Sequence, residues 1–264
     1  MTSINNIQRF RQRIAAGELC VGTGITFCDP SVSELMSEVG YDFTWIDMEH
    51  SPIDLQIALG HVMAVRGTHT APFVRVPVND VDVIKQVLDL APAGIIVPNV
   101  KTADGAQAAV QACRYPPQGV RGYGPRRGQY FGKISQAQYL DEVKDDPLII
   151  LQIEHIEAVN NLDAILAVPG IDSICLGPND LSGSMGKLGQ INDPQVCDAF
   201  QTVADKVNAS DILLGVSTFY SDDNFARWMR VGVKWISLAV DWGHLFTAGR
   251  SVLDSARAAS ASGG

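Results

Sequence analysis

The chain has 264 residues, 46% of them hydrophobic, and a formal net charge of −9. That length suits one α/β barrel and can bury a substantial core. The acidic balance offers no basic stripe for nucleic-acid phosphates, and no apolar run approaches the roughly 20 residues of a membrane span.

The opening stretch, 1–17, mixes Asn, Gln and Arg and lacks the apolar centre of a signal peptide. The five cysteines, Cys20, Cys28, Cys113, Cys175 and Cys197, never form a C-x-x-C pair and mostly sit in apolar surroundings. They read as reduced, buried thiols, and with the opening stretch they predict a cytoplasmic protein. From there β-rich runs alternate with helical spacing. A strand over 19–26 precedes a helix over 31–39; strand 43–48 precedes helix 54–65; strand 72–76 precedes helix 81–90. Strand 94–98 leads to helix 102–113, then to a long Gly-, Pro- and Arg-rich connection, 114–133, and a helix over 134–145. Strand 148–154 is followed by helix 158–167, strand 171–176 by helix 194–208, strand 212–217 by helix 221–231, and strand 235–240 closes the series. Runs such as Gly94-Ile95-Ile96-Val97 and Leu148-Ile149-Ile150-Leu151 are apolar on both faces, as in a parallel sheet covered by helices. Eight such units predict a single (β/α)8 TIM-barrel domain over 1–264, with an open doubly wound sheet as the alternative. The last segment, 242–256, carries Trp242, Leu245, Phe246, Val252 and Leu253, more apolar surface than a half-exposed helix needs. It reads as a subunit contact, with burial on its own barrel as the alternative. The Ala-, Ser- and Gly-rich tail, 255–264, is expected to fray.

Polar residues collect at the strand ends: Asp47-Met48-Glu49-His50, Arg75, Gln152-Ile153-Glu154, Gly177-Pro178-Asn179-Asp180 and Asp241. A parallel barrel gathers its chemistry at that end. Charges there are costly unless paired or metal-bound, although any one of them also reads as a helix cap or surface charge. Glu154 and Asp180 are oxygen donors suited to a hard divalent cation, and the absence of His and Cys partners argues against structural zinc. Gln152 shares a strand face with Glu154 by alternation. Arg75 is a fixed positive group, either beside a developing anion or in a structural ion pair. The backbone N–H groups of Asn179 and Asp180 open a helix and suit a carboxylate. His50 is the best general acid or base. Arg126 and Arg127 read as binding an acidic aldehyde, or as surface charge or a subunit contact.

At these residues the chain resembles the class II pyruvate-dependent aldolases of the 2,4-dihydroxyhept-2-ene-1,7-dioate (4-hydroxy-2-oxoheptanedioate) type. The resemblance spans about 21–250 and rests on Trp45-Ile46-Asp47-Met48-Glu49-His50, Val74-Arg75-Val76-Pro77, Ile84-Lys85-Gln86-Val87-Leu88-Asp89, Ile96-Val97-Pro98, the Arg114-to-Gly122 run, Gln152-Ile153-Glu154 and the Leu176-to-Ser182 run. It implies a barrel of the phosphoenolpyruvate/pyruvate superfamily that cleaves a 4-hydroxy-2-oxo acid into pyruvate or a related 2-oxo acid plus an aldehyde. It implies Glu154 and Asp180 as ligands of Mg²⁺, Mn²⁺ or Co²⁺, and an enolate stabilised by that cation and Arg75. It assigns His50 as the acid/base, with Asp89 and Asp47 in support, and Gln152, Asn179, Asp180 and Arg75 as substrate contacts. It also implies a hexamer built as a trimer of dimers, in which the last helix reaches a neighbour. Decarboxylase or acyl-lyase chemistry, or non-catalytic 2-oxo-acid binding, are the alternatives on the same scaffold. One departure is the run Asp89-Leu90-Ala91-Pro92-Ala93-Gly94, where the family often has glycine soon after the aspartate; alanine tolerates a left-handed cap less well.

Overall fold

A computed structural model describes residues 4–262. Its strands are β1 (Cys20–Ile25), β2 (Phe43–Asp47), β3 (Ala71–Arg75), β4 (Gly94–Val97), β5 (Leu148–Ile153), β6 (Ser173–Leu176), β7 (Leu213–Thr218) and β8 (Trp235–Val240). They pair in parallel in chain order, and β8 returns to β1, so the sheet is a closed barrel. Around it lie α1 (Ile7–Ala15), α2 (Ser31–Val39), α3 (Leu55–Ala64), α4 (Val81–Asp89), α5 (Ala103–Cys113), α6 (Gln136–Glu142), α7 (Ile156–Asn160), α8 (Leu162–Leu166), α9 (Pro178–Ser184), α10 (Pro194–Asn208), α11 (Asp222–Arg230) and α12 (Asp241–Ser262). The eight expected strands are present, and the open-sheet alternative is excluded.

Two cores hold the fold. One fills the layer between strands and helices, through residues such as Ile46, Val74, Ile84, Ile95, Ile174 and Trp228. The other fills the barrel itself: Phe43, Phe73 and Trp235 are packed against each other and against Phe10 of α1. Bare backbone makes room for these rings, since a Cβ at Gly215 would fall inside the Trp235 indole. Helix α1 thus closes the barrel floor with Ile7 and Phe10, both buried.

Several expectations change. The predicted helix over 158–167 is two helices, because Asn161 leaves helical geometry and its amide donates to the Lys101 carbonyl at 2.9 Å. The tail does not fray as expected: α12 runs through Ser262, while the last two residues lie outside the described ones. Cys28 is exposed, whereas Cys20, Cys113 and Cys175 are buried thiols that burial pushes up and keeps protonated. Arg127 is not a solvated surface charge. It is buried, donates to the carbonyls of Leu90 (2.7 Å) and Ala91 (3.3 Å) beyond the end of α4, and burial lowers its pKa to about 10. Arg126 beside it is exposed.

Ala91 itself stands at φ 55°, the left-handed conformation that glycine favours. A Cβ there costs about 1–2 kcal/mol, and glycine returns about 0.4–1 kcal/mol of that through unfolded-chain entropy. Ala91→Gly is therefore expected to stabilise the protein by roughly 0.5–1 kcal/mol. The urea midpoint should rise at constant slope; an unchanged or lower midpoint would refute the strain.

Candidate active site

The C-terminal ends of β2, β3, β5 and β6 face one small cavity of about 160 Å³, lined among others by Asp47, His50, Arg75, Gln152, Asn179 and Asp180. Cavities of about 430 and 490 Å³ lie outside the barrel and are larger. Chemistry, not size, decides between them: only the small one joins a paired arginine, an imidazole and two carboxylates at the strand ends.

Asp47 and Arg75 are register partners at the ends of β2 and β3, so their side chains enter the barrel mouth side by side. The guanidinium grips Asp47 through both carboxylate oxygens, Nε to Oδ1 at 3.0 Å and Nη2 to Oδ2 at 2.6 Å. Nη1 lies 2.8 Å from Glu49 Oε2 and 3.5 Å from Gln152 Oε1, and the guanidinium carbon sits 5.2 Å from the Trp45 ring centre. Burial opposes the charge on Arg75, but Asp47 and then Glu49 outweigh it, and its pKa stays raised. Asp47 Oδ1 also accepts from the backbone N–H of Glu49 (2.9 Å) and His50 (3.3 Å), so one carboxylate shapes the turn that carries the imidazole.

Glu154 is buried just past β5. Its Oε1 accepts from the Asn99 N–H at 2.7 Å, and its Oε2 from Gln152 Nε2 at 2.5 Å. Asn99 adopts φ 55° to aim that N–H, a left-handed residue at a functional site. The Glu154 carboxyl is pushed up to about 7, by burial first, with Glu49 and Asp180 adding repulsion against the Asn99 hydrogen bond. Glu49, half-buried, is raised for the same first reason, opposed by Arg75. The bare backbone of Gly177 completes this cradle: a Cβ there would lie 2.8 Å from Glu154 Oε2 and 3.0 Å from Gln152 Nε2. Pro178 opens α9, and the first-turn N–H groups of Asn179 and Asp180 lack intrahelical partners.

The raised carboxyls of Glu154 and Glu49, each repelled by the negative charge of Asp180, fit a hard cation held by Glu154 and Asp180. Among the described residues no group of three or more His, Cys, Asp or Glu forms a complete metal cage. Two protein oxygens with open positions suit a cation that substrate and water complete.

Most of the sequence candidates meet here; Asp89 and Asp241 do not. Asp89 ends α4, roughly 13 Å of helix away from the strand ends, and accepts from Arg121 Nη2 at 3.3 Å, so within one chain it does not reach His50. Asp241 is structural: its carboxylate accepts from Thr26 N, Thr26 Oγ1 and Phe27 N and ties β8 to β1. His50 is solvent-exposed, with Nε2 3.8 Å from Glu49 Oε2. Three other histidines have structural partners: His61 is buried against Ser33 and Phe27, His155 caps α7, and His244 meets Thr23. Glu49 and the Asn99 backbone contact Arg75 and Glu154 and were given no role by sequence reasoning; the Glu49 position in Asp47-Met48-Glu49-His50 was the one available sign.

A profile of the HpcH/HpaI aldolase/citrate lyase family matches residues 26–248. The hydroxypyruvate/pyruvate aldolase of Roseobacter denitrificans is 34% identical over 249 residues, covering 93% of this chain and 96% of its own. The 5-keto-4-deoxy-D-glucarate aldolase of Escherichia coli K12 is 32% identical over 248 residues, covering 94% and 96%. The crystal structure of an HpcH/HpaI aldolase from Desulfitobacterium hafniense superposes with a TM-score of 0.86 at 26% identity, over 94% of this chain and 96% of that one.

Proposed function

The chain belongs to the HpcH/HpaI aldolase/citrate lyase family, and from that premise we propose that it is a divalent-cation-dependent aldolase. It reversibly cleaves a 4-hydroxy-2-oxo acid into pyruvate, or a close relative, and an aldehyde. The observation that carries this is the meeting of Arg75, Gln152 and Asp180 around one cavity at the strand ends, with the buried Glu154 carboxyl hydrogen-bonded to Gln152 and close enough to Asp180 for its charge to be felt. Mg²⁺, Mn²⁺ or Co²⁺ would be held by Glu154 and Asp180. When bound, it would supply Lewis acidity to the keto and carboxylate oxygens of the 2-oxo acid.

The chain's own groups do the rest. Gln152 donates to Glu154 and fixes its orientation. Arg75, locked by Asp47, presents permanent positive charge to the oxygen that becomes anionic as the enolate forms. The N–H groups of Asn179 and Asp180 face the substrate carboxylate. His50 takes the proton of the C4 hydroxyl as the C3–C4 bond breaks, directly or through one water, and returns it in the reverse direction. No lysine lines the cavity, so nothing there supports a Schiff base. Offering pyruvate with a panel of aldehydes tests the reading: adducts with the summed mass of the two reactants are expected, and none with any aldehyde in the presence of Mg²⁺ or Mn²⁺ would overturn it.

The working form is an oligomer, and the hexamer is the form the resemblance suggests. From Leu245 to Ala261, α12 is exposed along its length, with Leu245 at 65%, Phe246 at 70% and Val252 at 71%. It is not buried on its own barrel, and that much apolar surface calls for a second copy. A role for Asp89 beside His50 also needs such a neighbour. Light scattering at micromolar concentration should show an assembly, and a stable, active 28 kDa monomer would refute it. Deleting everything after Asp241 should cost both assembly and activity, whereas trimming 260–264 should cost neither. No helix among the described residues is long and apolar enough to cross a membrane.

A further inference from the structure

A second cavity of about 180 Å³ adjoins the first. Pro178, Asn179, Ser217 and Val240 line both, so the two are neighbouring compartments of one strand-end mouth. Its volume is roughly that of six waters at about 30 Å³ each, which limits an occupant to a few carbons. None of its lining residues carries a charge. Arg75 is already paired with Asp47 and Glu49, and the nearby Arg227 is turned to the Ile191 carbonyl and the Asn192 side chain. Asp222 and Asp223 open α11 beside the cavity, and Asp180 borders the neighbouring one.

The hydrogen bonds at its wall have a defined direction. The Trp228 indole N–H can only donate, and it donates to Asn224 Oδ1 at 3.1 Å. The Asn224 amide is thereby oriented, and its Nδ2 donates to Thr218 Oγ1 at 2.7 Å and to the Phe219 carbonyl at 2.8 Å. Thr218 Oγ1 is therefore an acceptor inside the wall, and its own hydrogen is left to donate.

We propose that this compartment, between the end of β7 and the start of α11, is the acceptor subsite, and that it selects a small uncharged aldehyde bearing a hydroxyl group, which Thr218 reads. The inference rests on the aldolase reading and gives it a substrate class. In the synthetic direction, the enolate carbon C3 forms a bond to the aldehyde carbon. The aldehyde π-electrons move to its oxygen, which gains a proton, and no oxidant or reductant is needed. An aldehyde with a distal carboxylate would meet Asp222 and Asp223, with no lysine or arginine in the lining to pair it, and is disfavoured. The acceptor expected here therefore differs from the acidic one released when a dicarboxylic sugar acid is cleaved.

The test compares kcat/KM for glyceraldehyde, butanal and succinic semialdehyde with pyruvate, in the metal-loaded full chain. Glyceraldehyde should exceed succinic semialdehyde by about tenfold or more. Thr218→Val, nearly isosteric, should lower the glyceraldehyde-to-butanal ratio by up to about tenfold, the worth of one hydrogen bond. Phe219→Arg, at an exposed rim position, should raise use of succinic semialdehyde. Preference for the acidic aldehyde, or an unchanged ratio in Thr218→Val, would overturn the assignment. Solvent exchange of pyruvate C3 protons, which needs no aldehyde, separates the two levels. Exchange with the wrong selectivity overturns only the subsite; no exchange overturns the enolising site and the subsite with it.

Discussion

Glu154→Ala and Asp180→Ala are each expected to abolish turnover, by about a thousandfold or more. Lewis-acid stabilisation of a developing anion contributes several kcal/mol, and about 1.4 kcal/mol is tenfold in rate. A chelator should remove activity and Mg²⁺, Mn²⁺ or Co²⁺ should restore it. The buried carboxyl adds a pH signature. With its pKa near 7, Glu154 binds a proton that a cation must displace. Cation affinity, read by calorimetry without substrate, should rise with pH up to about 7 and then level. In the cation-free protein the sign for stability is opposite. The folded-state pKa lies above the unfolded value of 4.5, so this contribution is full below 4.5 and is lost as pH rises through about 7. Glu154→Gln should flatten both dependences. Full turnover after exhaustive cation removal, or pH-independent cation affinity, would contradict the assignment.

His50→Ala is the second large effect. An ordinary general acid or base contributes about 10²–10⁴-fold, and His50 is exposed and holds no part of the fold. Its loss should lower kcat by that factor and leave 2-oxo-acid affinity and melting temperature nearly unchanged. Arg75 should behave differently. Removing it strands Asp47 and Glu49 in a buried site, so Arg75→Ala should cost stability as well as substrate binding and enolate formation. Arg75→Lys keeps a charge but loses the two-pronged grip on Asp47, and should raise KM and lower kcat together. Equal and minor effects of His50→Ala and Arg75→Lys would place the chemistry elsewhere.

The barrel was legible because most strands are buried on both faces and six of the helices that follow begin with a capping Asp, Thr or Ser side chain. Asp54, Asp80, Thr102, Ser135, Asp193 and Ser221 all accept from the backbone at their helix starts. Helix α1 was missed because its inward face is little more than Ile7 and Phe10 among Asn, Gln and Arg. Of helix α9 only the start, at Asn179 and Asp180, was legible, because Pro, Gly and Ser hold four of its seven positions. Within the site, side chains on regular strand ends could be placed by alternation, and Gln152 and Glu154 do share a face as expected. Groups set by backbone conformation could not: the Asn99 N–H reaches Glu154 only through a left-handed residue. Tertiary burial was equally hidden. Arg126 and Arg127 look alike in sequence, yet one is exposed and the other caps carbonyls beyond α4. Asp89 carries a recognisable motif, but its position at the far end of α4 makes its place in catalysis a matter of assembly.

The central claim is that this strand-end cavity enolises a 2-oxo acid with a cation held by Glu154 and Asp180. It is tested most directly by following the pyruvate methyl signal in deuterated water with the assembled protein. Exchange of the C3 protons that scales with protein concentration, requires Mg²⁺ or Mn²⁺, and disappears in Glu154→Ala is the expected result. Pyruvate methyl protons that fail to exchange in the metal-loaded protein, or that exchange equally well after Glu154→Ala, would contradict it.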